Sequence, residues 1–95
     1  MFTGIVEEIG TVEEVTRGQH SAVLKIRAEK VLEDTKIGDS IAVNGICLTV
    51  TRLLSGGFTA DVMHETLNRS SLAKLGHGSL VNLERAMQAN GRCGG

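Results

Sequence analysis

Two tight-turn signals, Asn44-Gly45 and Gly56-Gly57, bracket a segment in which Ile46, Leu48 and Val50 alternate with Cys47, Thr49 and Thr51. Asn-Gly accepts positive φ at both positions, which a two-residue hairpin turn requires. Period-two alternation is the pattern of a strand with one buried face. A chain turned back twice in such quick succession belongs in an antiparallel sheet.

The remaining segments read in the same way. Phe2 to Val6 and Thr11 to Val15 read as strands around a charged Glu7-Glu8 and Gly10. Ala22, Leu24, Ile26 and Ala28 alternate with Val23, Lys25 and Arg27. Ile41 and Val43 lead into the Asn-Gly turn, Phe58, Ala60 and Val62 leave the second turn, and Val81 and Leu83 alternate with Asn82 and Glu84. Helical turns are expected over Lys30 to Lys36 and over Ser70 to Leu75, the latter with Ser70 or Ser71 as N-cap. Six or so short strands with two short helical turns point to an all-β fold, a small antiparallel barrel whose closure removes exposed edges.

An internal echo, K-I-G-D-S-I-A-V at 36–43 and K-L-G-H-G-S-L-V at 74–81, reads as one local solution used twice. Each glycine is expected to serve as a helix C-cap. The barrel is expected over 1–89. Residues 90–95 carry three glycines and read as the start of a linker.

Composition excludes several functions. The net charge is −1 and the ten basic residues are scattered, so the concentrated cationic surface that nucleic-acid binding needs is missing. Phe2 and Phe58 are the only aromatic residues available to stack on bases. No apolar run is long enough to cross a bilayer, and no signal peptide precedes the first strand. The two cysteines form neither a disulfide framework nor a metal-ligand spacing. A cytoplasmic protein with reduced thiols is the plain reading.

The chemistry-bearing surface follows from alternation. With Ile46, Leu48 and Val50 inside, Cys47, Thr49 and Thr51 point outward. With Phe58, Ala60 and Val62 inside, Thr59, Asp61 and Met63 point outward. Pairing of the two strands then gathers Cys47, Thr49, Asp61 and Met63 on one external surface. Small hydrogen-bonding groups beside a polarizable thioether suit a planar heteroaromatic ligand. A merely Thr-rich outer face is the competing reading, and Met63 is open to a core position.

Four stretches carry a family resemblance: M-F-T-G-I-V at 1–6, V-N-G-I-C-L-T-V at 43–50, M-H-E-T-L at 63–67 and V-N-L-E-R-A at 81–86. Together they resemble the N-terminal half of the riboflavin synthase family. The resemblance implies a chain of two Greek-key barrels, trimeric when intact, each barrel binding one 6,7-dimethyl-8-ribityllumazine. A four-carbon unit passes between two such molecules, giving riboflavin and 5-amino-6-ribitylamino-pyrimidinedione. It implies no cofactor. The implied ligand contacts are Gly4, Ile5 and Val6, then Cys47, Leu48 and Thr49, then Asp61, Val62, Met63, His64, Glu65 and Thr66. Ser40 matches a serine near the reacting centre, and Cys47 is open to two roles, nucleophile or space-filler. As a fragment the barrel is expected to form a homodimer holding one ligand per barrel. A non-catalytic lumazine or flavin carrier is the alternative reading. The pair His64-Glu65 is not a zinc motif, since the fifth position is Asn68, and His20 and His77 read as solvated.

Overall fold

The computed structural model describes residues 2–87; Cys93 and the glycine-rich segment 90–95 lie outside the described residues. Six strands form one closed barrel: β1 Glu8–Arg17, β2 Ser21–Arg27, β3 Ser40–Val43, β4 Ile46–Leu54, β5 Gly57–Met63 and β6 Leu80–Arg85. Around the barrel the order is β1-β2-β5-β4-β3-β6, and every pairing is antiparallel. The strands β3, β4 and β5 form a meander, and β6 returns to lie beside β3, which is the Greek-key order.

The turn chemistry explains the tight connections. Val43 pairs with Ile46, and Asn44 and Gly45 close the hairpin at φ 51° and 85°, the doubly positive backbone of a type I′ turn. The next hairpin is closed by Ser55-Gly56 rather than Gly56-Gly57, because Gly57 already pairs with Leu54 as the first residue of β5. The inward residues form one core of Val12, Leu24, Ile26, Ile41, Val43, Leu48, Val50, Phe58, Ala60, Val62, Val81 and Leu83, joined by Val31, Leu67 and Leu72 from the connections. Gly10 is required by close approach: a Cβ there would lie 2.6 Å from Leu83 Cδ1 and 2.8 Å from the Arg27 carbonyl oxygen.

Several expectations are corrected. Phe2 to Val6 is not a strand; the first strand begins at Glu8 and runs unbroken through Gly10 to Arg17. The helical turn after β2 shrinks to a 3-10 turn, Lys30–Leu32. There are three helical pieces among the described residues, not two: the short helix α1, His64–Arg69, was not expected. The second 3-10 turn, Ser71–Lys74, is capped by the Ser70 side chain, which accepts from the Leu72 amide at 3.2 Å.

The glycines of the echo are not helix C-caps; those positions are Glu33 and Leu75. The echo is nevertheless structural, two residues out of the register first read. Residues 36–39 and 76–79 form matching turns, closed by Asp39 N–H to Lys36 O at 3.0 Å and Ser79 N–H to Gly76 O at 3.0 Å. Gly38 and Gly78 sit third in their turns at φ 97° and 89°, where a type II turn demands glycine. Side chains repeat the pattern: Asp39 Oδ2 accepts from Lys36 N at 2.9 Å and Ser79 Oγ from Gly76 N at 3.0 Å. Gly38 N–H donates to Val50 O and Val50 N–H to Asp39 O, while Gly78 N–H donates to Val12 O and Val12 N–H to Ser79 O. Register breaks follow at Val50/Arg52 and at Val12/Glu14. Exchanging β1 with β4, β2 with β5 and β3 with β6 reproduces the same barrel order, so the barrel has an internal pseudo-two-fold axis.

Candidate functional site

The pairing register decides which outward residues meet. Ser40 on β3 is opposite Thr49 on β4, and Thr49 is opposite Asp61 on β5. Three sequence-singled residues thus form one row across the outside of three adjacent strands. The next row joins Cys47 to Ala42 and Ala42 to Glu84. Directly opposite side chains in an antiparallel pair have Cβ atoms about 4.5–5.5 Å apart, so the rows make a continuous patch of hydroxyl, carboxylate and thiol. Cys47, Thr49, Asp61 and Met63 are all exposed, Met63 at 60%. Met63 is therefore a surface residue and not core.

Leu48 and Val62 point the other way and are only 4% and 3% exposed. A ligand on the outer face can meet these two residues only through their backbones. Thr59 lies on the outer side but is buried, and its hydroxyl shares a 2.7 Å hydrogen bond with that of Thr51. The bulge at Val50/Arg52 makes this contact, because the extra residue places Thr51 beside Thr59 instead of in simple alternation.

The stretch Met63 to Thr66 turns the corner into α1. His64 Nε2–H donates to the Gly18 carbonyl at 2.7 Å and its amide reaches His20 O at 3.4 Å, fastening α1 to the β1–β2 turn. His64 is therefore a rim residue held by structure. Glu65 pairs with Arg69 at 3.2 Å across one helical turn, with both side chains largely exposed, an interaction of small worth. Thr66 is exposed beside them. His77 is exposed but not merely solvated, since its Nδ1–H donates to Glu13 O at 2.8 Å. Among the described residues no group of three or more His, Cys, Asp or Glu side chains is arranged to hold a metal ion. None of their helices is long and apolar enough to cross a membrane.

Gly4 to Val6 come to the patch from the side. Gly4 and Val6 face Ala42, Asn44 and Asn82 across a concavity of about 420 Å3 that Glu84 also lines. Glu84 and Arg85 were not singled out in sequence, yet both hold the N-terminal segment. Glu84 accepts from Thr3 N at 2.6 Å, Thr3 Oγ1 at 2.7 Å and Gly4 N at 3.1 Å. The Thr3 hydroxyl is the main influence that holds its carboxyl below the usual carboxylate range, against desolvation and the Glu7 charge. Arg85 forks onto Glu7 through Nε and Nη2, both at 2.9 Å.

The pseudo-two-fold axis supplies an internal comparison. The row Ser40–Thr49–Asp61 is matched on the other half by Leu80–Thr11–Arg27, and the pair Ala42–Cys47 by Asn82–Ile9. The backbone arrangement is the same, but the second face carries Ile9 and Leu80, 62% and 68% exposed, in place of a thiol and a hydroxyl. The polar character of the first face is thus a property of its side chains and not of the sheet.

The profile of the lumazine-binding domain family matches residues 3–86, nearly all of the described barrel. The chain belongs to the lumazine-binding domain family. This lumazine-binding domain is 59% identical over 95 residues to riboflavin synthase of Bacillus subtilis (strain 168), covering all of this chain and 44% of that protein. It is 57% identical over 96 residues to riboflavin synthase of Mycobacterium tuberculosis (strain ATCC 25618 / H37Rv), covering 48% of it. The domain therefore spans about half the length of these relatives. Its fold is that of LumP in complex with riboflavin, with a TM-score of 0.80 and 24% identity over 90% of this chain and 47% of that one. LumP in complex with flavin mononucleotide gives 0.83 and 21%, over 90% of this chain and 49% of that one.

Proposed function

We propose that this lumazine-binding domain is the N-terminal half of a riboflavin synthase and binds 6,7-dimethyl-8-ribityllumazine or riboflavin on the outer face of β3, β4 and β5. The observation that carries the reading is the row Ser40–Thr49–Asp61, which only this half of a pseudo-symmetric barrel possesses. Identity supports the synthase reading: 59% to a riboflavin synthase over the whole of this chain.

The ring lies flat against the patch between Met63, Cys47 and the Gly4–Val6 segment. Thr49 and backbone amides hold its polar edge, and Asp61 with Thr66 faces the ribityl hydroxyls. In the intact protein two lumazines meet between barrels of different subunits of a trimer. One loses a proton from its C7 methyl, and a four-carbon unit passes to it, giving riboflavin and 5-amino-6-ribitylamino-pyrimidinedione. Holding two like rings in register supplies an effective concentration worth up to about 7–11 kcal/mol. Ser40 and Cys47 stand beside that ring, Ser40 to hydrogen-bond it and Cys47 either to add to it or to shape its site. An exposed free thiol at Cys47 fits a reducing cytoplasm.

A fluorescence titration with riboflavin tests the placement. Thr49→Ala removes one ligand hydrogen bond, about 0.5–1.5 kcal/mol or two- to tenfold in Kd. Thr11→Ala alters the pseudo-equivalent face and leaves Kd unchanged. Equal losses in the two variants would remove the ligand from the Thr49 face. This half alone binds with little or no turnover and associates as a homodimer, because Ile5, Ile9 and Leu80 expose apolar area that a second barrel covers. Sedimentation at micromolar concentration should show the dimer; a monomer would end that expectation.

A further inference from the structure

The segment from Thr3 to Glu7 precedes the first strand, yet two successive residues of β6 tie it to the barrel. Alternation sends neighbouring side chains to opposite sides of a strand, so Glu84 reaches the outer face and Arg85 the rim. Glu84 receives the Thr3 amide, the Thr3 hydroxyl and the Gly4 amide. Arg85 receives the Glu7 carboxylate on its amide and guanidinium. Between these anchors the chain arches. Gly4 takes φ +84° and Ile5 N–H turns back onto Thr3 Oγ1 at 3.1 Å, leaving Ile5 and Val6 69% and 47% exposed.

Glu84 is an unusual group for this place. It is 9% exposed, and among the described residues no cation forms a salt bridge with it. A carboxylate out of water needs donors that satisfy its charge, and the donors here come from a segment some 80 residues away in the chain. Its strand neighbour is Ala42, and the neighbour of Ala42 is Cys47. The carboxylate that holds the arch is thus one residue removed from the candidate ring site.

We propose that Glu84 is a positioning residue: it fixes the Gly4–Val6 arch over the Ala42–Cys47 end of the outer face and so sets the affinity for a ring ligand there. The inference rests on the ligand face proposed above. Docking of the arch requires the charged form. A carboxyl held below its ordinary 4.5 gives full docking above that value and loses it as pH falls through the depressed one.

The experiment compares wild type, Glu84→Gln, Thr3→Ala and the double variant, using riboflavin titration and amide hydrogen exchange without ligand. Glu84→Gln should weaken riboflavin binding about tenfold, through loss of a charge-assisted interaction. It should speed exchange at Gly4 while the core amides of β2 and β5 keep their protection. Thr3→Ala, which leaves every strand intact, should weaken binding about threefold. Combined with Glu84→Gln it should add nothing, because both act through one contact. Wild-type affinity should fall on acidification below pH 4.5 while the barrel remains folded by circular dichroism, and Glu84→Gln, which keeps the Glu7 and Asp61 carboxylates, should fall less steeply over that range. Unchanged Gly4 exchange in Glu84→Gln, additive losses in the double variant, or faster exchange without loss of affinity would each overturn the proposal. Failure of wild type to bind riboflavin at all would instead sink the ligand-face reading, and the positioning role with it.

Discussion

Phe58→Ala should remove about 3–5 kcal/mol of stability, the cost of emptying a buried aromatic site. Phe58 has no exposed surface and heads the set of fully buried large side chains. It lies on β5, flanked by Ile26 of β2 and Leu53 of β4. Closure leaves the neighbouring strands little freedom to collapse into the space, because each is hydrogen-bonded on both sides. For a domain of this length each kcal/mol shifts the melting temperature by about 4–8 °C, so the expected fall is on the order of 15–30 °C. Urea unfolding at 25 °C should show a lower midpoint with an unchanged slope. A loss below about 1 kcal/mol, within the range of tolerated volume-conserving swaps, would mean that the barrel interior yields where this packing says it cannot.

Arg85→Ala should cost about 1.5–3 kcal/mol, the range for hydrogen bonds to charged groups, since the ion pair is half-buried. The guanidinium is 10% exposed and its partner Glu7 23%, so Glu7 regains some water when abandoned. Arg85 also donates through Nη1 to the Glu33 carbonyl at 2.8 Å, tying β6 to the turn after the first 3-10 element. Its charge is reinforced first by the Glu7 hydrogen bonds and then by the nearby Glu7, Glu33 and Asp34 carboxylates, against desolvation. Arg85→Lys keeps the charge but not the planar fork and should recover less than half of the loss in urea unfolding. Full recovery by lysine would show that charge alone holds the N-terminal segment, and geometry does not.

These variants separate two supports of the candidate site. Phe58 stiffens the sheet that carries Thr49 and Asp61, whereas Arg85 and Glu84 hold the arch beside it. A candidate site assembled on three strands has a hydrogen-bonded sheet as its floor. The arch beside it is held by two charged anchors.

Much of the candidate face was legible because a strand's two sides can be read from alternate residues. Cys47, Thr49, Asp61 and Met63 stand where alternation puts them, and Asn44-Gly45 closes a doubly positive turn. The same local logic failed at Phe2 to Val6. That segment has strand-like residues, but in a closed barrel β6 already pairs with β1 and β3, and no edge remains for it to join. It is held by side chains instead. The helix His64–Arg69 escaped notice because six residues with one buried side chain show no periodicity; isolated helices of that length are unstable in water, and contacts with Gly18 and His20 sustain it.

By itself the sequence determined the strand segments from Thr11 onward, their buried faces, the Asn-Gly hairpin and the family resemblance, since each is written in neighbouring residues. Only the tertiary structure decided that Ser40, Thr49 and Asp61 share a row, that Glu84 and Arg85 hold the N-terminal arch, and that the barrel repeats itself about an axis. Those facts depend on which strands pair and in which register. That choice is made by closure of the whole sheet around one core, a condition that no short stretch of chain contains.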